Sequence, residues 1–152
     1  MTDEATLDAA MEVMDSGFDP HWREAWTRVQ LRDSLTMPST TLLLVDRAGQ
    51  VIDHGRAAGF VLSRQALDEE ELLLIAVRPE ERGRGLGTRL LGRYFTEARD
   101  RGVRRIFLEM RANNPARSLY RRAGFNAIGS RPRYYRAADG EEIDAITFAR
   151  HV

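Results

Sequence analysis

The chain has no cysteine and no lysine. Without cysteine there can be no disulfide, no thiolate metal site and no cysteine nucleophile. Without lysine there is neither the GxxxxGK[ST] phosphate loop of nucleotide hydrolases nor a lysine Schiff base; all 23 basic residues are arginine. Histidine is scarce, and His21, His54 and His151 lie far apart with no HExxH-type spacing, so no metal is expected. No apolar run approaches the roughly 20 residues that a membrane helix needs, and the acidic opening Met1–Asp15 is unlike a secretory signal. These absences predict a cytoplasmic protein with no membrane partner.

What remains is ordinary in amount and uneven in arrangement. With 152 residues, 43% hydrophobic and 30% charged, the chain suits one domain over 1–152 with a single sizeable core. Formal net charge is zero, yet residues 78–136 hold sixteen arginines against five acids, and the rest holds seven against eighteen. The basic part suits a phosphate-bearing cofactor. A direct nucleic-acid partner is not expected, because nucleic-acid-binding domains are strongly basic overall.

Hydrophobic spacing gives the order of elements. Leu7, Ala10, Met11 and Met14 predict a helix over 5–16 that stops at Gly17. Asp19-Pro20 predicts the start of a second helix running to about Leu35, with Trp22 and Trp26 as its core residues. Strands are expected over Thr40–Val45, near Val51 and over Ala57–Leu62. The continuous apolar run ending at Val77 reads as a buried central strand. Leu86, Leu90, Leu91, Phe95 and Ala98 then mark a helix stopped by Gly102. Ile106, Leu108 and Met110 alternate as a strand, and a helix follows from about Asn114 to Arg122. The tail reads as a hairpin, Phe125–Tyr135 and Glu142–Ala149, turning at Asp139-Gly140. The class is α/β, with a mixed sheet.

Between the central strand and the helix after it stands Arg82-Gly83-Arg84-Gly85-Leu86-Gly87-Thr88. Glycines there let a backbone approach a ligand closely, and a helix N-terminus presents unpaired N–H donors at a positive dipole end. Such a turn can hold a pyrophosphate, with Arg82, Arg84 and Arg89 adding charge around it. It can equally be a tight turn with no ligand. The spacing GxGxG on a mid-chain strand departs from the GxGxxG of dinucleotide folds.

Ile75-Ala76-Val77 with Arg82-Gly83-Arg84-Gly85-Leu86-Gly87 resembles the Q/RxxGxG/A signature of the GCN5-related N-acetyltransferases (GNAT). Leu108-Glu109-Met110-Arg111-Ala112-Asn113, then Leu119-Tyr120 and Ala123-Gly124-Phe125, is similar to the LEVRxxN…LY…GF segment of that family. Arg133-Tyr134-Tyr135 with Asp139-Gly140-Glu141 resembles the ribosomal-protein-alanine N-acetyltransferase branch (RimI). The resemblance covers Glu71 to the C-terminus and implies a single GNAT-type domain, a central mixed sheet flanked by helices, with acetyl-CoA as cosubstrate and no metal. It implies that the backbone of Ile75, Ala76 and Val77 faces the acetyl group and pantetheine arm, and that Gly83–Thr88 holds the pyrophosphate. It further implies Glu109 as proton acceptor, Asn113 as a cofactor contact, Tyr120 as the acid for the departing thiolate, and Tyr134 and Tyr135 along the acceptor groove. In that branch the asparagine usually follows the glutamate with one more residue between them than separates Glu109 from Asn113. The implied acceptor is a basic ribosomal-protein N-terminus, its terminal alanine, met by a monomer or weak dimer. A small amine (polyamine, amino acid or antibiotic) is the alternative acceptor, and a binding module without turnover is the alternative class.

The chemistry is compatible with these residues without requiring them. An α-amine has a pKa near about 8, so a modest fraction is already neutral and a glutamate base has a small task. Glu109 can instead be an ion-pair partner of an arginine such as Arg111 on its own strand. A phenol can protonate a thiolate, yet Tyr120 can be a core tyrosine, and Tyr134 and Tyr135 an ordinary cross-strand pair. The run Asp68-Glu69-Glu70-Glu71 either draws in a cationic acceptor or is a solvated acidic loop.

Overall fold

The computed structural model describes residues 3–152. Helix α1 (Glu4–Gly17) is capped by the Asp3 carboxylate, which accepts from the Ala5 N–H. Where one helix is expected over 20–35, the structure has two pieces. A single 3₁₀ turn, Pro20–Trp22, is capped by Asp19 and ended by Arg23 in the left-handed region (φ 54°). Helix α2 (Arg28–Leu35) starts only after Thr27 and Gln30 close a reciprocal capping box. The intervening residues therefore run as a loop, which puts Trp22, Arg23, Glu24 and Trp26 at a cleft.

Seven strands form one sheet in the order β2-β1-β3-β4-β5-β7-β6: β1 (Thr40–Val45), β2 (Val51–Ile52), β3 (Gly59–Ala66), β4 (Glu69–Val77), β5 (Arg105–Arg111), β6 (Asn126–Arg136) and β7 (Glu142–His151). All neighbours are antiparallel except β4 and β5. The expected class, a mixed sheet flanked by helices, is what the chain adopts. The connection from β4 to β5 is α3 (Leu86–Asp100), which buries Leu86, Leu90, Leu91, Tyr94, Phe95 and Ala98 against one sheet face, each large side chain contributing about 2 kcal/mol. Helix α4 (Arg117–Arg122) shares that face, and α1 and α2 cover part of the other.

The position of the split in this sheet follows from local sequence. Ser63 pairs with Leu72 but Leu62 pairs with Leu74, so Leu73 is an extra residue, a β-bulge. Leu72 faces the α3 layer, Leu73 and Leu74 both face the α1 layer, and Ile75 returns to the α3 layer. Parallel pairing with β5 covers only Glu69–Glu71 against Arg105–Phe107. Beyond the bulge the two strands part. The acidic run is thus no solvated loop: Glu69–Glu71 form the paired base of β4, with Glu70 buried against Arg101 (2.8 Å) and Glu69 tied to Arg105 (2.9 Å).

Candidate active site

The parting of β4 and β5 opens a cleft of about 260 Å³, lined by Leu72–Ile75 of β4, Leu108–Met110 of β5, the 18–26 loop, Asn114, Tyr120 and Tyr135. Of the residues singled out from sequence, Ile75, Glu109, Tyr120 and Tyr135 come together here. Glu109 lies on the β5 face turned away from α3, with its side chain 21% exposed. Its Oε2 accepts from the Thr147 hydroxyl at 3.4 Å and lies 3.3 Å from Arg131 Nε. The expected competitor, Arg111, is engaged elsewhere. It donates to Glu24 Oε1 and to Asn113 Oδ1, both at 3.0 Å, and stacks over Trp22 at 4.8 Å.

Tyr120 enters from α4, buried to 4% exposure, and its hydroxyl has no hydrogen-bond partner among the described residues. Burial, with smaller contributions from Glu24 and Tyr135, pushes its phenol far above the usual tyrosine range, so it stays protonated. Tyr135 is shifted the same way by burial and by Glu109. Its hydroxyl donates to the Glu109 carbonyl at 3.4 Å, and its ring meets Tyr134 edge-on at 5.3 Å. Tyr134 is half exposed and does not line the cleft.

At the end of β4, Gly83 (φ 78°) and Gly85 (φ 77°) take left-handed conformations that residues with a Cβ rarely adopt. Gly85 is the N-cap of α3 and offers no side-chain cap. The first helical bond is Arg89 N–H to the Gly85 carbonyl, so the amides of Leu86, Gly87 and Thr88 remain as donors at the helix start, a fit for a diphosphate. The neighbouring arginines are differently used. Arg82 donates to the Gly17 carbonyl (2.7 Å) and the Val77 carbonyl (3.2 Å), Arg89 to the Ala48 carbonyl (3.4 Å), and Arg84 lies 3.7 Å from Glu81.

Asn113 spends its side-chain oxygen on Arg111, while Asn114 lines the cleft and caps the turn into α4 by accepting from the Ala116 N–H at 2.9 Å. The sequence signal for this was the family spacing, which Asn114 satisfies and Asn113 misses by one. Glu24, 18% exposed in the cleft wall, was not singled out from sequence, and Trp22 and Trp26 were read as helix core. All three depend on a break in the helix that periodicity hides. The loop carrying them is tied to the β6–β7 turn: Ala138 N–H donates to the His21 carbonyl at 2.9 Å, and His21 Nε2 lies 3.3 Å from Glu141 Oε2.

A sheet split at its one parallel pair, with a glycine turn leaving helix amides as donors just past the end of β4 and with Glu109, Tyr120 and Tyr135 lining the cleft, suits an acyl-CoA-dependent transferase. The profile of the acetyltransferase (GNAT) family matches residues 7–125. Relatives include the [ribosomal protein bS18]-alanine N-acetyltransferases of Haemophilus influenzae, 35% identical over 100 residues, and of Escherichia coli, 42% identical over 101 residues, each match covering 66% of this chain and 68% of the relative. The crystal structure of the Escherichia coli ribosomal-protein-S18-alanine N-acetyltransferase superposes with a TM-score of 0.80 at 31% identity, covering 96% of this chain and 87% of that one. The chain belongs to the acetyltransferase (GNAT) family and is an N-acetyltransferase that uses acetyl-CoA.

Proposed function

We propose that the acceptor is the N-terminal alanine of ribosomal protein bS18, modified in the cytoplasm by direct transfer from acetyl-CoA. The observation that carries this reading is the placement of Glu109 and Tyr120 in one cleft at the β4–β5 opening, in a chain whose relatives bear that activity in their names. The Gly83–Thr88 amides hold the diphosphate, and the free edge of β4 from Leu72 to Val77 takes the pantetheine arm, with the Val77 N–H toward the thioester carbonyl. Asn114, not Asn113, serves as the asparagine contact to the cosubstrate, because it is the one in the cleft.

Glu109 takes a proton from the incoming ammonium, directly or through water. The neutral nitrogen forms a bond to the acetyl carbonyl carbon, the C–S bond breaks, Tyr120 gives its proton to the sulfur, and the second proton that the nitrogen sheds on becoming an amide restores the phenol through water. Burial raises the phenol, but it also disfavours a naked thiolate in the same cleft, so proton transfer accompanies C–S cleavage. Tyr135 and the loop tryptophans line the path of the acceptor.

The test is mass spectrometry of a panel containing a synthetic bS18 N-terminal peptide, spermidine and free amino acids, each incubated with enzyme and acetyl-CoA. One added acetyl on the peptide α-amine is expected. Modification of a small amine with the peptide untouched would remove the ribosomal acceptor and leave the acetyltransferase.

A further inference from the structure

Two carboxylates border the cleft, and their partners differ in kind. Glu24 is paired with Arg111, whose side chain is 9% exposed and held in place by Asn113 and Trp22. Removing that cation would strand a charge in the protein interior. Glu109 is paired with Arg131, whose side chain is 62% exposed. Arg131 can leave without burying anything.

Register explains why Arg131 reaches Glu109: Arg131 pairs with Ala145 and Glu109 with Thr147, two residues apart on β7, so the two side chains share a sheet face. Along β6, Arg131 pairs with Ala145 and Tyr135 with Ile143, so three residues of β6 stand opposite one of β7. Pro132, which has no N–H to give a ladder, and Arg133, left-handed at φ 51° with its N–H on Asp144 Oδ1, make up this bulge with Tyr134. The bulge sets the Tyr134 ring 5.1 Å from the Arg131 guanidinium while that group is still paired with Glu109, a contact the cation can keep when it leaves the carboxylate.

We propose that Arg131 is a placeholder cation on Glu109: an acceptor ammonium must displace it, and the guanidinium withdraws onto Tyr134. This rests on Glu109 being the proton acceptor, as proposed above. Arg131 is then a specificity-determining residue. An acceptor arriving as a cation compensates the carboxylate that Arg131 gives up, whereas a neutral acceptor leaves it bare. The other charged or titratable groups facing Glu109 stay put: Glu71 of β4 with Arg64 of β3 beside it, Tyr135 of β6, and the Glu24–Arg111 pair.

The displacement has a kinetic readout. For Arg131→Ala, acting on an N-terminal peptide, the acceptor KM should fall by about threefold, since nothing has to be displaced from the carboxylate. Arg131→Lys, which keeps the charge, should restore the wild-type KM. An unchanged or raised KM in Arg131→Ala, or a loss of kcat as large as that of Glu109→Gln, overturns the placeholder. Failure of the underlying reading looks different: there, Glu109→Gln itself leaves the peptide rate intact.

Discussion

Tyr120 and Glu109 show how one side chain's chemistry depends on the packing around it. A buried phenol without an acceptor partner keeps its proton at any cellular pH, and Tyr120→Phe removes that proton while leaving the ring packed. The expected result is a loss of about a hundredfold in kcat with little change in the acetyl-CoA KM, read by steady-state kinetics with a thiol reagent. Glu109→Gln should depress the rate most at low pH, where fewer acceptor amines are already neutral, and the ratio of wild-type to variant rate should shrink as pH rises. Neighbouring Glu71 is a stability prediction. Burial raises its pKa, Glu109 adds to the rise, and Arg64 only partly offsets it. A carboxyl raised in the folded state gives stability that is present below its unfolded pKa and lost as pH climbs through the folded value. Glu71→Gln should therefore raise the midpoint of thermal unfolding at pH 7 by about 1–3 °C, with the gain vanishing near pH 4.

At the scale of elements, the sequence was most legible where periodicity met a clear stop. Helix α3, with its six buried side chains and Gly102 beyond, lies where the apolar stripe puts it. The hairpin β6–β7 differs from expectation by one or two residues at its ends. The helix expected over 20–35 fails because local hydrogen bonding outcompetes spacing: the Asp19 side chain accepts from the His21 N–H, Arg23 turns left-handed, and the Thr27–Gln30 box restarts the helix. The acidic segment was misread because charge suggests solvent, whereas Arg101 and Arg105, more than thirty residues away, neutralise Glu70 and Glu69. Bulges leave no mark in one-sequence patterning, so neither the splay at Leu73 nor the Arg131–Tyr134 kink was readable. The turn before α3 offers the element-level test. Gly85→Ala must hold a Cβ at φ 77°, which costs about 1 kcal/mol, and should weaken acetyl-CoA binding in calorimetry more than it lowers stability.

For the whole molecule, a ligand that binds only the folded state stabilises it by mass action. Acetyl-CoA at about a hundred times its Kd contributes about 2.7 kcal/mol, which for a domain of this size means about 5–10 °C in the unfolding midpoint, measurable by scanning calorimetry. No rise would remove the diphosphate grip at α3. The three parallel pairs between β4 and β5 carry a broader consequence. They are a short seam joining two half-sheets, β2-β1-β3-β4 and β5-β7-β6, with the amide edges above the seam facing an opening. A guest that carries amides of its own can add rungs along the open edge of β4. Cohesion of the sheet and occupancy of the cleft then become one equilibrium, and amide exchange along Leu72–Val77 should slow whenever the cosubstrate is aboard.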